Sequence, residues 1–261
     1  MVVVWAAVVL LVLATAGWAV SLARRNANVV DQLWGIAPVA VAVTCLAVGD
    51  ARTARSWLGA AMVVVWGVRL TAHLALRDRG GDEDWRHREA RARHPRFAWR
   101  SLPELFWVQL VGGGLVVGSP MFAVVAEGQP PLRWLDALGV ALWGVGFTVE
   151  VVADRQLLRF RSDPTNHGRL LNRGLWAYSR HPNYFGEALL WTGIALVGVA
   201  AGAWWALLSP ALVLVIVLRI TGVRAMDTHL LATRGARYAD YVRTTSPFIP
   251  LPKHSRVPST R

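Results

Sequence analysis

Seven apolar runs, each long enough or nearly long enough to cross a bilayer, constrain this chain more than any other feature. They fall at residues 2–22, 29–48, 56–76, 103–126, 131–153, 186–201 and 203–220, where a helix needs roughly 20 residues to span the hydrocarbon core. Lipid offers no hydrogen bonds to the backbone, so such runs fold as helices. The expected fold is all-α, an integral membrane bundle of seven transmembrane helices. Only Ala201-Gly202-Ala203 separates the last two runs, which implies a tight hairpin.

A net charge of +12 on a chain that is 54% hydrophobic then reads as topology. With the N-terminus outside, the inner segments carry 24 basic residues and the outer loops carry only Arg52, Arg55 and Arg133. By the positive-inside rule this asymmetry places the N-terminus outside and the C-terminus in the cytoplasm. The charge points to membrane lipids and an anionic cofactor as partners, not to nucleic acid. Arg24 and Arg25 follow the first apolar run rather than precede it, so that run reads as a retained span and not a signal peptide. The single cysteine, Cys45, excludes an internal disulfide and a cysteine metal cluster, and no metal site is expected. No internal repeat divides the chain, which reads as one domain over residues 1–252 with a tail at 253–261.

Polar residues inside apolar runs are the candidate chemistry. The stretch Tyr178-Ser179-Arg180-His181-Pro182-Asn183-Tyr184-Phe185-Gly186-Glu187 joins an arginine-rich loop to the sixth run. Pro182 suits the first turn of a helix. A helix starting there presents its free N–H groups beside Arg180 and His181, an anion site. Asn183 and Glu187 lie four residues apart and share a face. A cap with an interfacial aromatic accounts for Pro182 and Tyr184, but not for a carboxylate one turn inside an apolar helix.

In the third run Trp66 precedes Arg69, His73 and Arg77, a polar stripe at i, i+4 and i+8. Arg77 can snorkel to the surface, whereas Arg69 lies deeper and needs a partner or a wet cavity. Asp31 and Gln32 open the second run, either as groups in contact with the helix dipole or as groups facing a cavity. Glu150, Asp154 and Arg161 share a face if the fifth helix continues through them. They then either bind a ribose and its phosphates or mark an ordinary exit from the membrane. Gly112-Gly113-Gly114 reads as close helix packing. Gly80-Gly81 beside Arg79 follows no strand and is no dinucleotide fingerprint. The basic, aromatic tail from Arg219 to Pro250 is expected to fold against the inner mouth of the bundle.

Residues 178–187 resemble the signature of the steroid 5-alpha-reductase C-terminal superfamily, and in particular a bacterial branch of it. The similarity runs from about Asp31 to Pro250 and is strongest from Asp154 onward. The resemblance implies a membrane enzyme that reduces a carbon–carbon double bond conjugated to a ketone in a steroid, sterol or polyprenoid. It implies a bacterial cytoplasmic membrane, with the cofactor site facing the cytoplasm. NADPH supplies the hydride, and a protein acid hydrogen-bonds the carbonyl in a cavity that excludes water. Carried over, it implies NADPH contacts at Asp154, Arg161, Asn183, Glu187 and Arg224. It adds Arg79, beside Asp78 where the family has an asparagine; Tyr178, Arg180 and His181 complete the expected cofactor site.

In the steroid reductases a glutamate of the second span and a tyrosine of the third hold the carbonyl. Those places here are Gln32, with Asp31 adjacent, and Trp66. An indole donates a hydrogen bond but cannot supply a proton as a phenol does, so Asp31, Arg69 and His73 are candidates for the missing acid. The Arg-His-Pro-x-Tyr turn is also similar to that of isoprenylcysteine carboxyl methyltransferases. These bind S-adenosylmethionine and carry a Glu-Glu pair where this chain has Asp227-Thr228. Three expectations follow: an NADPH-dependent reductase, an S-adenosylmethionine-dependent methyltransferase, or a non-catalytic lipid-binding protein. Asn183 and Glu187 favour the first.

Overall fold

A computed structural model describes residues 1–78, 83–220 and 222–253. Helices α1 (Val2–Arg24), α2 (Val29–Val48) and α3 (Ala54–Arg77) follow the first three apolar runs. The arginine-rich segment forms α4 (Trp85–Arg93) and α5 (Phe97–Ser101). The fourth run breaks into a π-helix (Leu102–Gly113), α6 (Gly114–Val117) and α7 (Pro120–Val124). Helix α8 (Trp134–Ser162) continues unbroken through Glu150, Asp154 and Arg161, and α9 (Pro182–Ala200) starts at the expected proline. Helix α10 (Leu208–Val215) passes into a second π-helix (Ile216–Ile220), followed by α11 (Val223–Arg234) and α12 (Ala236–Thr244). Among the described residues there is no strand; Ser179 and Ser246 form an isolated parallel bridge.

Five helical stretches are long and apolar enough to cross a membrane: Val2–Arg24, Val29–Val48, Ala54–Arg77, Trp134–Ser162 and Trp204–Arg234, the apolar part of the last ending at Ile220. The expected fourth and sixth runs are not among them. The fourth is interrupted by changes of helix type, and the first two turns of α9 carry Asn183 and Glu187. Surface character agrees with a lipid environment. Helix α1 buries the small or slender stripe Ala6, Leu10, Ala14, Gly17 and Ser21 and exposes its large apolar side chains. Trp57, Trp134 and Trp204 stand exposed near helix starts, Trp204 at 75%, as membrane-interface tryptophans do.

The chain forms two compact units, Met1–Val140 with Gly193–Ser209 and Ala141–Thr192 with Pro210–Arg261. In the first, Thr53 and Ser56 close a capping box at the start of α3. Gly113 and Gly114 bear out the packing reading: an added Cβ would lie 3.0 Å from the Trp34 ring and 3.2 Å from Leu10 respectively, while Gly112 has nothing within 4 Å.

In the second unit α8 and α9 meet backbone to backbone. A Cβ on Gly146 would lie 2.5 Å from the Leu190 N and 2.6 Å from the Gly186 carbonyl, and one on Gly186 would lie 2.6 Å from the Glu150 N. Gly146→Val therefore forces two helices apart, and overpacking of this kind destabilises by about 1–3 kcal/mol. Chemical denaturation in micelles measures it, with Gly144→Val, at a position with nothing within 4 Å, as the control expected to be near neutral.

Candidate functional site

The second unit holds a cavity of about 360 Å³ where the end of α8, the loop after it, the start of α9 and the tail helices converge. The loop is secured from below by Trp176, whose Nε1 donates to the Ala153 carbonyl at 3.1 Å, within a small core of Ala153, Leu171 and Trp176. Leu175 N donates to Gln156 Oε1 at 3.0 Å, tying the loop's return to α8.

The start of α9 is built by long-range contacts with the tail. Ser179 Oγ donates to the Phe248 carbonyl at 2.7 Å and accepts from His181 N at 3.1 Å. Arg180 N donates to the Ser246 carbonyl at 2.8 Å, and Leu251 N donates to the Tyr178 carbonyl at 3.0 Å. The buried Arg180 guanidinium reaches further: Nη1 donates to the carbonyls of Val242 and Thr245 at 3.0 and 2.9 Å, and Nη2 donates to Asp227 Oδ2 at 2.7 Å. These carbonyls close the C-terminal end of α12, where a cation is favoured by the helix dipole.

Asp227 is the centre of this cluster. Besides Arg180 it meets His181 Nε2 at 3.1 Å and accepts from the Tyr238 hydroxyl. Burial and the Asp227 carboxylate push the Tyr238 phenol far above its usual range, so it stays a donor. Burial likewise raises Tyr241, whose hydroxyl donates to the Trp176 carbonyl. His181 Nε2 is committed to Asp227. The ring stacks on Tyr184 with centroids 5.4 Å apart.

Of the residues singled out in the sequence, Arg161, Arg180, His181 and Asn183 line the cavity. Asp154 stands behind them, accepting from Asn183 Nδ2 at 3.2 Å. That contact fixes the amide, and Asn183 Oδ1 is buried with no hydrogen-bond donor. Tyr178, Glu187 and Arg224 belong to the same unit but do not line the cavity. Arg79 lies outside the described residues.

Asp31, Gln32, Trp66, Arg69 and His73 lie in the first unit. Asp31 sits in the first turn of α2, the dipole position, and its carboxylate meets Arg86 at 3.2 Å, Arg77 at 3.5 Å and His87 at 3.5 Å. Gln32 Nε2 donates to Asp78 at 3.4 Å. Trp66 is fully buried, and Arg69 and His73 are half-buried on the same helix. Nearby, burial alone would raise Glu83, but Arg91 and the Ala27 N–H hold it below the usual carboxylate range.

Sequence reasoning did not single out His167, Arg169, Arg234, Tyr238 and Tyr241, all of which line the cavity. A signal was present: Met226, Leu230 and Arg234 repeat every four residues on α11, with Asp227 beside them and Tyr238 and Tyr241 one turn apart on α12.

Comparison with known proteins adds a family. The sequence model of a family described as "Protein of unknown function (DUF1295)" matches residues 17–245. An "Uncharacterized protein C594.04c" of Schizosaccharomyces pombe is 27% identical over 210 residues, which cover 70% of this chain and 61% of that protein. No solved structure matches significantly.

Proposed function

The chain belongs to the family described as "Protein of unknown function (DUF1295)", and from the charge of its cavity we propose that it is a membrane-embedded, NADPH-dependent reductase. Its substrate is a conjugated carbon–carbon double bond in a lipophilic molecule such as a steroid, sterol or polyprenoid. The proposed topology has seven spans with the N-terminus outside. The basic loop before α9 and the tail then face the cytoplasm, in a bacterial cytoplasmic membrane, where soluble nucleotides are.

One observation carries the cofactor: besides Arg180 and His181, which Asp227 pairs, Arg161, Arg169, Arg234 and His167 line the cavity, where the one lining carboxylate is Asp163. Guanidinium forks suit phosphates, which they bind bidentately. A dinucleotide with an additional phosphate brings several negative charges to such a lining. The sulfonium of S-adenosylmethionine brings a positive one. The buried, donorless Oδ1 of Asn183 fits an N–H or O–H of the same ligand, since an acceptor left unmatched in a dry site is costly. Asp154 orients that amide, and Tyr184 and Tyr238 add aromatic walls to the cavity. When bound, NADPH supplies the hydride; the chain's own residues hold and orient it.

Titration of the purified protein with NADPH and with S-adenosylmethionine, followed by thermal stability, tests this reading. A ligand at 100 times its Kd adds about 2.7 kcal/mol if it binds only the folded state. The expected result is stabilisation by NADPH that weakens with salt and is lost in Asn183→Ala. Stabilisation by S-adenosylmethionine alone overturns the proposal in favour of a methyltransferase, and no response to either favours a non-catalytic lipid-binding protein.

A further inference from the structure

The cavity has one wall unlike the others. Helix α11 contributes Met226, Leu230 and Arg234 to it, and α11 lies past the apolar stretch that ends at Ile220. A glycine bounds it at each end. A Cβ at Gly222 would lie 2.0 Å from the Val217 carbonyl, inside the π-helical turn Ile216–Ile220, so only glycine lets the chain leave that turn in this direction. Gly235, between α11 and α12, has φ +55° and ψ −133°, a conformation open to glycine. Hinges are commonly positions of this kind at element ends.

The neighbouring α12 is fastened differently. Its C-terminal carbonyls are held by Arg180, its Tyr241 hydroxyl by the Trp176 carbonyl, and the chain after it by Ser179 and Tyr178. Beside its buried Val223, polar contacts fasten α11. Asp227 bonds Arg180, His181 and Tyr238. At the rim, Arg234 Nη1 donates to the Arg169 carbonyl at 2.9 Å in an exposed bond that joins α11 to the loop on the opposite side. A polar latch of this kind can release, because opening hydrates Asp227 and Arg180 together and strands neither charge in a low dielectric.

We infer that α11 is a hinged lid over the cavity, pivoting at Gly222 and Gly235, latched by Asp227 and closed at the rim by Arg234 on the Arg169 carbonyl. Opening it admits a phosphate-bearing nucleotide. That last statement rests on the proposed function; the lid itself does not.

Hydrogen exchange on the full chain in nanodiscs reads the lid without any ligand. Amides of α11 are expected to exchange roughly tenfold faster than those of α12 and of the middle of α8, as a locally opening segment does. In the Arg169→Cys, Arg234→Cys variant, a reducible bifunctional thiol crosslinker is expected to slow α11 to the rate of α12, and reductant to restore it. Exchange in α11 no faster than in α12, or unchanged by the crosslink, overturns the lid. The same variant lacks two cavity arginines and binds NADPH more weakly than the parent, so its own reduced form is the reference: association is expected to slow roughly tenfold on crosslinking, by closure of the path in. An NADPH association rate unaffected by a crosslink that does immobilise α11 overturns the admission route. If NADPH does not bind the parent protein, the cofactor reading fails while the exchange data still decide the lid.

Discussion

Arg180→Ala is expected to destabilise the protein by about 3–5 kcal/mol, the loss typical of removing one partner of a buried ion pair. Arg180 is 7% exposed and joins three elements through one guanidinium: the last turn of α12 through the carbonyls of Val242 and Thr245, α11 through Asp227, and the start of α9 through its own backbone. Alanine leaves two carbonyls without their donor and Asp227 without its cation. The tail then undocks, and the cavity loses the wall formed by Leu230, Tyr238 and Tyr241. Arg180→Lys is expected to recover only part of the loss, because one ammonium cannot reproduce a planar fork that reaches three acceptors. Urea denaturation in micelles gives the stability, and limited proteolysis gives the site. Cleavage should appear first in residues 223–251. A variant as stable as the parent, with its tail still protected, contradicts the assignment of Arg180 as the anchor.

A loss of similar size is expected for Arg55→Ala in the first unit. Arg55 and Asp136 form a bidentate pair, with Nε and Nη2 each 2.8 Å from a carboxylate oxygen. Their side chains are 2% and 5% exposed. The same guanidinium donates to the carbonyls of Pro130 and Pro131 at 2.7 and 2.9 Å, so it also shapes the loop entering α8. Truncation leaves a buried aspartate uncompensated, at about 3–5 kcal/mol. Asp136→Asn keeps an acceptor and loses the charge, and is expected to cost less. The Arg55→Met, Asp136→Leu double variant is expected to cost less than the sum of its single changes, since residues in one network couple. Additive single effects would show that the pair does not act as a unit.

What the sequence made legible follows from how local each signal is. Pro182 marks the start of α9 because a proline's missing N–H is tolerated only in the first helical turn. The continuity of α8 through Asp154 and Arg161 follows from an unbroken polar-apolar pattern without glycine or proline between them. The break in the fourth run was not legible: apolar composition alone does not distinguish a π-helical hydrogen-bond pattern from an α-helical one, and residues 102–113 adopt the former. Asp31 admitted two readings, and its dipole position in the first turn of α2, ringed by Arg77, Arg86 and His87, was settled by contacts up to 56 residues away.

The cavity was half legible for the same reason. Arg161, Arg180, His181 and Asn183 stand out because charged or amide groups beside apolar runs need an explanation. Arg180's partners lie 47 to 65 residues further on. No spacing rule connects an arginine before α9 to the carbonyls ending α12. Arg169 and Arg234 look like ordinary surface arginines until the fold brings the loop and α11 to one rim.

In the proposed function, the arginine-lined cavity of the second unit holds a phosphate-rich nucleotide through Asn183. A density map of the protein prepared with excess NADPH tests it most directly. Phosphate density is expected among Arg161, Arg169 and Arg234, with a donor group of the ligand within hydrogen-bond distance of Asn183 Oδ1. A map in which that cavity stays empty while NADPH sits elsewhere, or in which the Asn183 amide turns away from the ligand, contradicts it.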